Sequence, residues 1–314
     1  MLHLYLYLVI FGLLFAFCCW IFRIPFMKNS IFKTTATAQH VKPSPALLIV
    51  IAHPDDESMF FVPAIDALQS SKMCSETHIL CCSTGNSEGK GSIRAGELVS
   101  AAKVLGIREQ NIAILDHYAL RDGMHEKWDS LAVATAVSAA VRKIIESQGN
   151  SRKSNLNSNS NSEGVCIVTF DAKGISGHPN HSAVFRGVEE FLQSSADLYI
   201  SSNHFVVCYK LETVSTFRKF SSIFDISTSF CIHLLKKALT TCNYNQKNDL
   251  YPKSVDWPDI LLLIGGGIKL THLAMMEHKS QYIWWRQLFV IFSRYSFINT
   301  LSRISLVKET SKAH

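Results

Sequence analysis

Two short segments of the chain combine histidines and carboxylates at spacings that suit metal-assisted chemistry. The first, HPDDE, starts at His53, directly after the apolar run of residues 47–52. The second, DAKGISGHPNH, starts at Asp171, after the apolar run of residues 165–170. Packing alone gives no reason to end a buried strand in so much charge, because a buried charge is costly unless it is paired or binds a metal. Both segments are therefore candidates for a reactive site.

The residue types in these segments match the needs of a metal-dependent hydrolase. His53 and Asp56 are three residues apart where a strand would turn into a helix, so their side chains can converge on one ion. His181 would supply a third ligand from the neighbouring strand end, and two imidazoles with one carboxylate are a ligand set of zinc hydrolases. Asp55 and His178 remain for acid–base chemistry, since a carboxylate can accept a proton from water and an imidazole can stabilise an oxyanion or protonate a leaving amine.

Each segment has a simpler interpretation when it is taken alone. Consecutive carboxylates are favoured at a helix N-terminus by the helix dipole, and a single histidine is more often a hydrogen-bonded polar residue than a ligand. Both interpretations would have to hold together at the ends of two neighbouring strands, where open α/β sheets bind their ligands. We therefore favour one metal site over two unrelated structural features.

A glycine-containing loop, TGNSEGKGS at residues 84–92, raises the alternative of nucleotide binding. Gly85 and Gly89 are separated by three residues, which fits neither the P-loop nor the G-x-G-x-x-G spacing. We therefore interpret this segment as a flexible loop near the site. Arg94, at the start of the following helix, is a candidate contact for a substrate phosphate, and a surface salt bridge fits the sequence equally well.

Strand-like and helix-like segments alternate from residue 46 onwards. The strand-like segments are residues 46–52, 77–82, 111–115, 165–170 and 205–210, and the helix-like segments are residues 58–69, 92–105, 131–146 and 181–193. This alternation indicates right-handed βαβ units. We expect an α/β fold with a Rossmann-like, mainly parallel sheet and helices on both faces, preceded by one N-terminal transmembrane helix.

The composition narrows the classes of protein and the extent of the domain. The 314 residues carry a net charge of +6 with scattered Lys and Arg, which argues against nucleic acid as a partner, and nine cysteines without a Cys-x-x-Cys pair indicate reduced thiols. We expect one domain at residues 46–314 with a flexible polar insertion at residues 150–164. Residues 260–268 are apolar but too short to span a membrane. Residues 282–292 predict a helix that packs in the core, the favoured interpretation, or that lies along a membrane surface.

An apolar stretch near the N-terminus predicts a membrane anchor. Residues 4–22 are nineteen residues without a charge, which is about the length that spans a bilayer core. A cleaved signal peptide is the alternative, but the sequence has neither the basic leading segment nor the small-residue cleavage site that a signal peptide requires. We assign residues 1–22 to a transmembrane anchor and residues 23–45 to a linker.

Two features predict which side of the membrane holds the domain. Arg23, Lys28 and Lys33 follow the apolar stretch, and positive residues favour the cytosolic side. A glycosylation sequon starts at Asn180, inside the predicted site, where an attached sugar would block the chemistry. Both features favour a domain that faces the cytosol.

The paired motifs AHPDDE at residues 52–57 and GHPNH at residues 177–181 resemble those of the PIG-L/LmbE-like family of metal-dependent de-N-acetylases. The resemblance covers about residues 47–209. Smaller pieces are similar to the eukaryotic PIG-L branch of that family: TGNSEGKGSIRAGEL from residue 84, LGI from residue 105, LRDG from residue 120, HKSQ from residue 278 and FSRYSFIN from residue 292.

This resemblance implies a role for each residue of the two motifs. It implies that His53, Asp56 and His181 bind zinc, with another divalent cation as the alternative, that Asp55 is the general base, and that protonated His178 is the electrophilic or acid group. The implied reaction removes the N-acetyl group of N-acetylglucosaminyl-phosphatidylinositol, the second step of GPI-anchor synthesis, at the cytosolic face of the endoplasmic reticulum membrane. The expected partner is therefore a glycolipid held in that membrane.

Some positions depart from the family pattern or leave alternatives open. Ser176 stands where some bacterial relatives have a tyrosine, so a tyrosine contribution to oxyanion binding is not expected. His278 is a candidate substrate contact, with helix capping or packing as the alternative role. De-N-acetylation of another amino-sugar conjugate and a non-catalytic membrane adaptor on the same fold are the alternative functions. The adaptor is disfavoured because all five chemical positions are filled.

Overall fold

A mixed sheet lies at the centre of the computed structural model, which describes residues 44–154, 164–201, 204–241 and 257–304. Its strands are β1 (Ala46–Ile51), β2 (Thr77–Cys81), β3 (Ile112–Ile114), β4 (Gly164–Phe170), β5 (Phe205–Leu211), β6 (Ile260–Ile264) and β7 (Ile298–Arg303). These seven strands are ordered β3-β2-β1-β4-β5-β7-β6. The first five are parallel, and their order is that of a Rossmann fold.

The two central strands explain why the sheet is parallel and covered on both faces. Every residue of β1, ALLIVI, and of β4, GVCIVTF, is buried. A continuous apolar run of this kind is typical of a strand with helices on both sides. The polar exception, Thr169, donates a hydrogen bond from its hydroxyl to the Val50 carbonyl oxygen at 2.9 Å. The predicted α/β fold with a mainly parallel sheet is confirmed.

Helices form one layer on each face of the sheet. They are α1 (Asp56–Phe60), α2 (Val62–Ser70), α3 (Gly91–Val104), α4 (Ser130–Ser154), α5 (Pro179–Ser201), α6 (Thr216–Lys219), α7 (Asp225–Thr241), α8 (Gly267–Glu277) and α9 (Trp284–Phe292). α4 and α5 pack on each other and on β1 and β4, whereas α3 packs on α8. Since the chain reverses its direction across the sheet after β3, right-handed crossovers place α4 and α5 on the face opposite α1 to α3.

The C-terminal part adds two strands that the sequence analysis did not predict. β7 is antiparallel to both β5 and β6 and lies between them. The apolar residues 260–268 thus begin with a short edge strand. β7 is hard to recognise because its sequence, INTLSR, is polar. Asn299 explains part of this polarity, because its amide accepts a hydrogen bond from Ala64 N–H and donates one to the Phe60 carbonyl oxygen, both at 2.9 Å.

Several predicted boundaries differ from the structure. The helix predicted at residues 58–69 is two helices, α1 and α2, that meet at Phe61. Pro63 in the first turn of α2 has no N–H to donate, which favours a new helix start at this point. α4 continues to Ser154, beyond its predicted end at residue 146.

The predicted membrane segments have different outcomes. The helix predicted at residues 282–292 is α9. The favoured prediction, that it packs in the core, is wrong for most of the helix, because its large apolar side chains other than the buried Val290 are exposed or half-buried. Within the described ranges, no helix is long and apolar enough to cross a membrane. The anchor predicted at residues 1–22 lies outside the described residues, as do residues 155–163 of the insertion predicted at residues 150–164. The ends of that insertion belong to α4 and β4, so the prediction of a flexible segment is wrong for them.

A buried ion pair joins α7 to the turn before β7. Arg294 Nε lies 2.6 Å from Asp225 Oδ2, and both side chains are fully buried. Arg294 Nη2 also donates to Ser229 Oγ at 2.9 Å and to Thr300 Oγ1 at 3.0 Å. Arg218 contributes a second guanidinium, with Nε donating to Asp225 Oδ1 at 2.8 Å. The Asp225 carboxylate is therefore the shared partner of two cations in the C-terminal part of the domain.

Asp225→Ala tests this ion pair. Because the substitution leaves the Arg294 charge buried without its partner, we expect the free energy of unfolding to fall by about 3–5 kcal/mol. Glu109→Ala is the matched control, since Glu109 pairs with Lys103 at 3.0 Å on the exposed surface and should contribute less than about 1 kcal/mol. Urea denaturation of both variants measures the difference, and equal effects of the two substitutions would contradict the structural role.

Candidate active site

The residues after β1 turn back onto the strand and hold Asp56 at its end. Asp56 Oδ2 accepts hydrogen bonds from the backbone N–H groups of Ala52 at 3.1 Å and of His53 at 2.8 Å. Its other oxygen, Oδ1, lies 3.2 Å from His181 Nε2. Burial acts to raise the pKa of Asp56, but the charges of His181 and His53 and their hydrogen bonds outweigh it and hold the pKa well below its usual range. Asp56 is therefore ionised at neutral pH.

His181, in the first turn of α5, has a fixed ring orientation. Its Nδ1 lies 2.9 Å from the Gly174 carbonyl oxygen, which assigns the Nδ1 proton and leaves Nε2 to face Asp56. The ring stacks on Phe170 with centroids 4.1 Å apart. Gly174 has a φ of +63°, and a Cβ at this position would lie 2.7 Å from His181 Cβ. Glycine is thus required for the contact that orients the imidazole.

His178 completes a cluster of three imidazoles. One ring nitrogen from each of His53, His178 and His181 lies within 4.8 Å of the others, and the ring centroids of His53 and His178 are 4.6 Å apart. Burial, together with the nearby charges of His53 and His181, lowers the pKa of His178 to about 4. His178 is therefore neutral at pH 7 in this arrangement.

The cluster fits a divalent metal ion. Asp56 lies between two imidazoles, with Oδ2 3.7 Å from His53 Nδ1 and Oδ1 3.2 Å from His181 Nε2. Imidazole nitrogens and a carboxylate that converge in a buried pocket are ligands that transition metals prefer. The structure brings together the three predicted ligands, and it places His178 in the same cluster. The division of these residues between metal binding and acid–base roles stays a prediction.

Asp122, which belongs to the LRDG segment, was not predicted from the sequence as a site residue. Its Oδ1 lies 2.9 Å from His53 Nε2, while Oδ2 accepts a hydrogen bond from Ser87 Oγ at 2.9 Å and lies 3.6 Å from Arg94 Nη1. Burial acts to raise the pKa of Asp122, but His53, Ser87 and Arg94 together hold it well below its usual range. A histidine ligand usually donates the N–H that faces away from the metal to an ionised carboxylate, which orients the ring and raises its basicity. Asp122 therefore leaves His53 Nδ1 to face Asp56.

Asp55 has an unusual backbone conformation, with a φ of 112° and a ψ of −19°. A residue other than glycine in the left-handed region costs about 1–3 kcal/mol, and such residues are concentrated at functional sites. Its N–H donates a hydrogen bond to Glu57 Oε2 at 3.1 Å, which helps to hold this conformation. The strain therefore lies at a residue for which the sequence predicts a catalytic role.

Two guanidinium groups flank the Asp55 carboxylate. Arg94 Nη2 lies 3.4 Å from Oδ1, and Arg286 Nη2 lies 3.1 Å from Oδ2. Burial raises the pKa of Asp55 above its usual value, although Arg286 and Arg94 oppose this effect. A carboxylate with a raised pKa is a better proton acceptor near neutral pH than an ordinary one. The geometry thus suits Asp55 to general base catalysis.

The HKSQ segment, residues 278–281, fixes the backbone of Asp55 through Glu57. His278 Nε2 lies 2.6 Å from Glu57 Oε1, and both side chains are fully buried. Burial acts to lower the pKa of His278, but the Glu57 charge outweighs it and raises the pKa. Since Glu57 Oε2 accepts the Asp55 N–H, the buried pair fixes the backbone of the predicted base.

The same segment also positions Arg286. Gln281 accepts hydrogen bonds from Arg286 Nη1 through its side-chain oxygen at 2.7 Å and its backbone carbonyl at 2.8 Å. Ser280 donates from its N–H and its hydroxyl to Glu97, both at 2.7 Å, and so attaches the segment to α3. HKSQ therefore holds two groups that contact Asp55, the Glu57 carboxylate and the Arg286 guanidinium.

Comparison with known proteins places this chain among relatives that share most of its length. A family model described as PIG-L, GlcNAc-PI de-N-acetylase, matches residues 48–192. A probable N-acetylglucosaminyl-phosphatidylinositol de-N-acetylase of Schizosaccharomyces pombe is 33% identical over 260 residues, which cover 82% of this chain and 86% of the relative. The N-acetylglucosaminyl-phosphatidylinositol de-N-acetylase of Bos taurus is 30% identical over 255 residues, 81% of this chain and 82% of the relative. The chain belongs to the PIG-L family.

The region that the PIG-L family model matches contains both motifs of the site. It includes His53, Asp55, Asp56, Asp122, His178 and His181. His278 and Arg286 lie outside it, although they contact Glu57 and Asp55. The only signals for them in the sequence were the HKSQ motif and an arginine that interrupts an apolar run.

Two residues of this PIG-L family chain were predicted to contact substrate, Arg94 and His278. Arg94 is 7% exposed and donates to the carbonyl oxygens of Gly85 and Pro54, both at 2.8 Å, so a surface salt bridge is wrong for it. His278 is fully buried against Glu57. Both side chains have protein partners, which favours a role in positioning the site, and substrate contact stays a prediction for each.

Asp122→Asn tests whether the carboxylate that contacts His53 Nε2 supports metal binding. The amide keeps the size of the side chain but removes its charge, so we expect metal affinity to fall about 10–100-fold. Competition with a chromophoric chelator measures this affinity. Asp116→Asn, an exposed position in the same loop, is the matched control and should bind metal as the unsubstituted protein does. Unchanged affinity in Asp122→Asn would contradict the role assigned to Asp122.

Proposed function

We propose that this chain removes the N-acetyl group from N-acetylglucosaminyl-phosphatidylinositol, giving acetate and glucosaminyl-phosphatidylinositol. The names of its relatives in Schizosaccharomyces pombe and Bos taurus support this substrate. The observation that carries the proposal is the buried Asp55 beside the convergent His53, Asp56 and His181. Amide hydrolysis by a metal-dependent enzyme needs this combination of a proton acceptor and a metal site. The resemblance to the eukaryotic branch supports a role in GPI-anchor biosynthesis.

Asp55 carries out the proton transfers of the reaction, and His178 stabilises its oxyanion. A water molecule that attacks the acetamide carbonyl carbon loses a proton to the Asp55 carboxylate, whose pKa burial raises. When the C–N bond breaks, the amine nitrogen takes up a proton, for which protonated Asp55 is the source. His178 is neutral at pH 7, since its pKa is about 4, so it stabilises the oxyanion as a neutral hydrogen-bond donor. This differs from the protonated His178 expected from the sequence.

We assign zinc to the site, with His53, Asp56 and His181 as its ligands. When bound, the ion would lower the pKa of a water molecule to about 7 and stabilise negative charge on the carbonyl oxygen. The set of two imidazoles and one carboxylate supports zinc, and another divalent cation is the alternative. Asp122 and the Gly174 carbonyl oxygen contact the remaining nitrogens of the two histidines, as is usual for histidine ligands.

We place the enzyme on the cytosolic face of the endoplasmic reticulum membrane, with residues 4–22 as a single transmembrane anchor. The apolar length of this stretch and the basic residues after it support the placement. The sequon residue Asn180 is fully buried, and its side-chain amide donates to the Arg121 carbonyl oxygen at 3.2 Å. This burial supports a compartment in which Asn180 is not glycosylated.

Asp55→Asn tests the proposed function. The amide cannot accept a proton from water, so we expect turnover to fall by about 10²–10⁴-fold while the metal content is unchanged. The measurement is conversion of N-acetylglucosaminyl-phosphatidylinositol to glucosaminyl-phosphatidylinositol by membranes that carry each variant, with metal analysis of the purified proteins.

The outcomes of this experiment separate the roles of Asp55. Turnover at the unsubstituted level would remove Asp55 from the base role. Loss of metal together with activity would place it among the ligands instead. If the unsubstituted protein binds metal but does not convert this lipid, the substrate assignment is wrong.

A further inference from the structure

α9 exposes an apolar surface to solvent. Trp284 is 71% exposed, and only Val290 of this helix is buried. The other exposed apolar residues of the helix are Trp285, Leu288, Ile291 and Phe292. A nine-residue helix with so much exposed apolar surface and a single buried residue is unusual in a domain that is otherwise well packed, and it indicates a partner for this face.

A second element continues the same surface. α6 and the short helical turn Ser222–Phe224 also expose phenylalanines, with Phe217 86% exposed. The two elements touch, because the rings of Phe220 and Phe289 meet edge to face with centroids 6.1 Å apart and Ser222 Oγ donates to the Ile291 carbonyl oxygen at 2.9 Å. We call the combined surface the aromatic face, and it consists of Phe217, Phe220, Phe224, Trp284, Trp285, Leu288, Ile291 and Phe292.

The segments that contain the aromatic face have no carboxylate of their own. Residues 215–224 and 282–292 contain no Asp or Glu, and their two arginines are paired inside the domain, Arg218 with Asp225 and Arg286 with Asp55. The aromatic face is therefore apolar, with tryptophans at one end. Exposed Trp, Phe and Leu on one side of a helix are typical of segments that lie in the interface of a bilayer.

The aromatic face borders the candidate active site. Arg286, in the first turn of α9, lies 3.1 Å from Asp55 Oδ2. Phe289, in the middle of the same helix, meets Phe60 of α1 edge to face with centroids 5.7 Å apart. The face that is open to a partner and the predicted general base are therefore connected through one helix.

We propose that the aromatic face docks on the surface of a lipid bilayer and holds the active site at the level of the headgroups. This inference rests on the proposed function for the source of the substrate, since a sugar attached to phosphatidylinositol lies within the headgroup layer. Asp55 can reach such a sugar only if the domain approaches the bilayer on the side of the site. The aromatic face lies on that side, because α9 contains both Trp284 and the Arg286 that contacts Asp55, and its tryptophans match the depth of the interface.

The docking is tested by the fluorescence of the full-length protein in vesicles of brominated phosphatidylcholine with phosphatidylserine. The chain has five tryptophans, of which Trp128 and Trp257 are buried in the domain. We expect the lipid bromines to quench Trp284 and Trp285, together with Trp20 of the predicted anchor. The double variant with Trp284→Phe and Trp285→Phe should then lose about two-thirds of the quenched emission, whereas vesicles without bromine give the baseline for both proteins.

Three results would overturn the proposal. An equal quenched emission in both proteins would show that the aromatic face stays away from the lipid. Absence of quenching of Trp284 and Trp285, with a dimer that Trp284→Glu dissociates, would assign the face to a second copy of the chain. A face that becomes quenchable only after deletion of residues 4–22 would be covered by that segment instead. Because no step of this assay requires catalysis, it separates failure of docking from failure of the proposed function.

A second measurement links docking to turnover. We expect Trp284→Glu and Phe217→Glu to raise KM for the glycolipid in vesicles by about tenfold or more, because a charge opposes insertion into the interface. Both should leave kcat/KM unchanged for a water-soluble N-acetylglucosaminyl-inositol phosphate without acyl chains. Leu131→Glu, at an exposed leucine of α4 in the opposite helical layer, is the matched control and should change neither value. An equal loss on both substrates would show damage to the site rather than to docking.

Discussion

Three consecutive buried carboxylates determine how this domain is put together. Asp55, Asp56 and Glu57 follow β1, and burial of their charges is tolerable only with cationic or hydrogen-bonding partners nearby. Each carboxylate has its own: two guanidiniums for Asp55, two imidazoles for Asp56 and one buried imidazole for Glu57. Apart from His53, which directly precedes the three carboxylates, these partners come from α3, α5, the HKSQ segment and α9. The assembly of distant parts of the chain and the chemistry of the site therefore depend on the same charges.

This arrangement explains why the C-terminal part belongs to the candidate active site, although none of the predicted metal ligands is among its described residues. The HKSQ segment fixes Glu57 through His278, and it fixes Arg286 through Gln281. Arg286 also lies in the first turn of the helix that contains most of the aromatic face. One short stretch of chain thus connects the predicted base to the surface that we assign to the bilayer. An enzyme for a lipid-linked sugar benefits from this connection, since the site and the docking surface keep a fixed relation.

The sequence predicted the parts of the site that are local or that follow from sheet topology. His53 and Asp56 are three residues apart, and His181 reaches them because parallel strands end at the same edge. Asp122 and Arg286 could not be assigned in this way, because their roles arise from tertiary contacts that no spacing records. β7 was not predicted for a related reason. Its polar residue Asn299 is buried and forms hydrogen bonds with the backbone of the domain, so the strand lacks an apolar pattern. Apolar periodicity likewise could not decide whether α9 faces the core or a membrane.

We propose that a metal ion at the end of β1 is required for de-N-acetylation of a membrane glycolipid. The most direct test is conversion of N-acetylglucosaminyl-phosphatidylinositol by membranes that carry the protein, measured before chelation, after chelation and after return of zinc. We expect chelation to stop acetate release and zinc to restore it, with one glucosaminyl-phosphatidylinositol formed per acetate. Undiminished conversion by protein shown to be free of metal would show that the reaction does not need the ion.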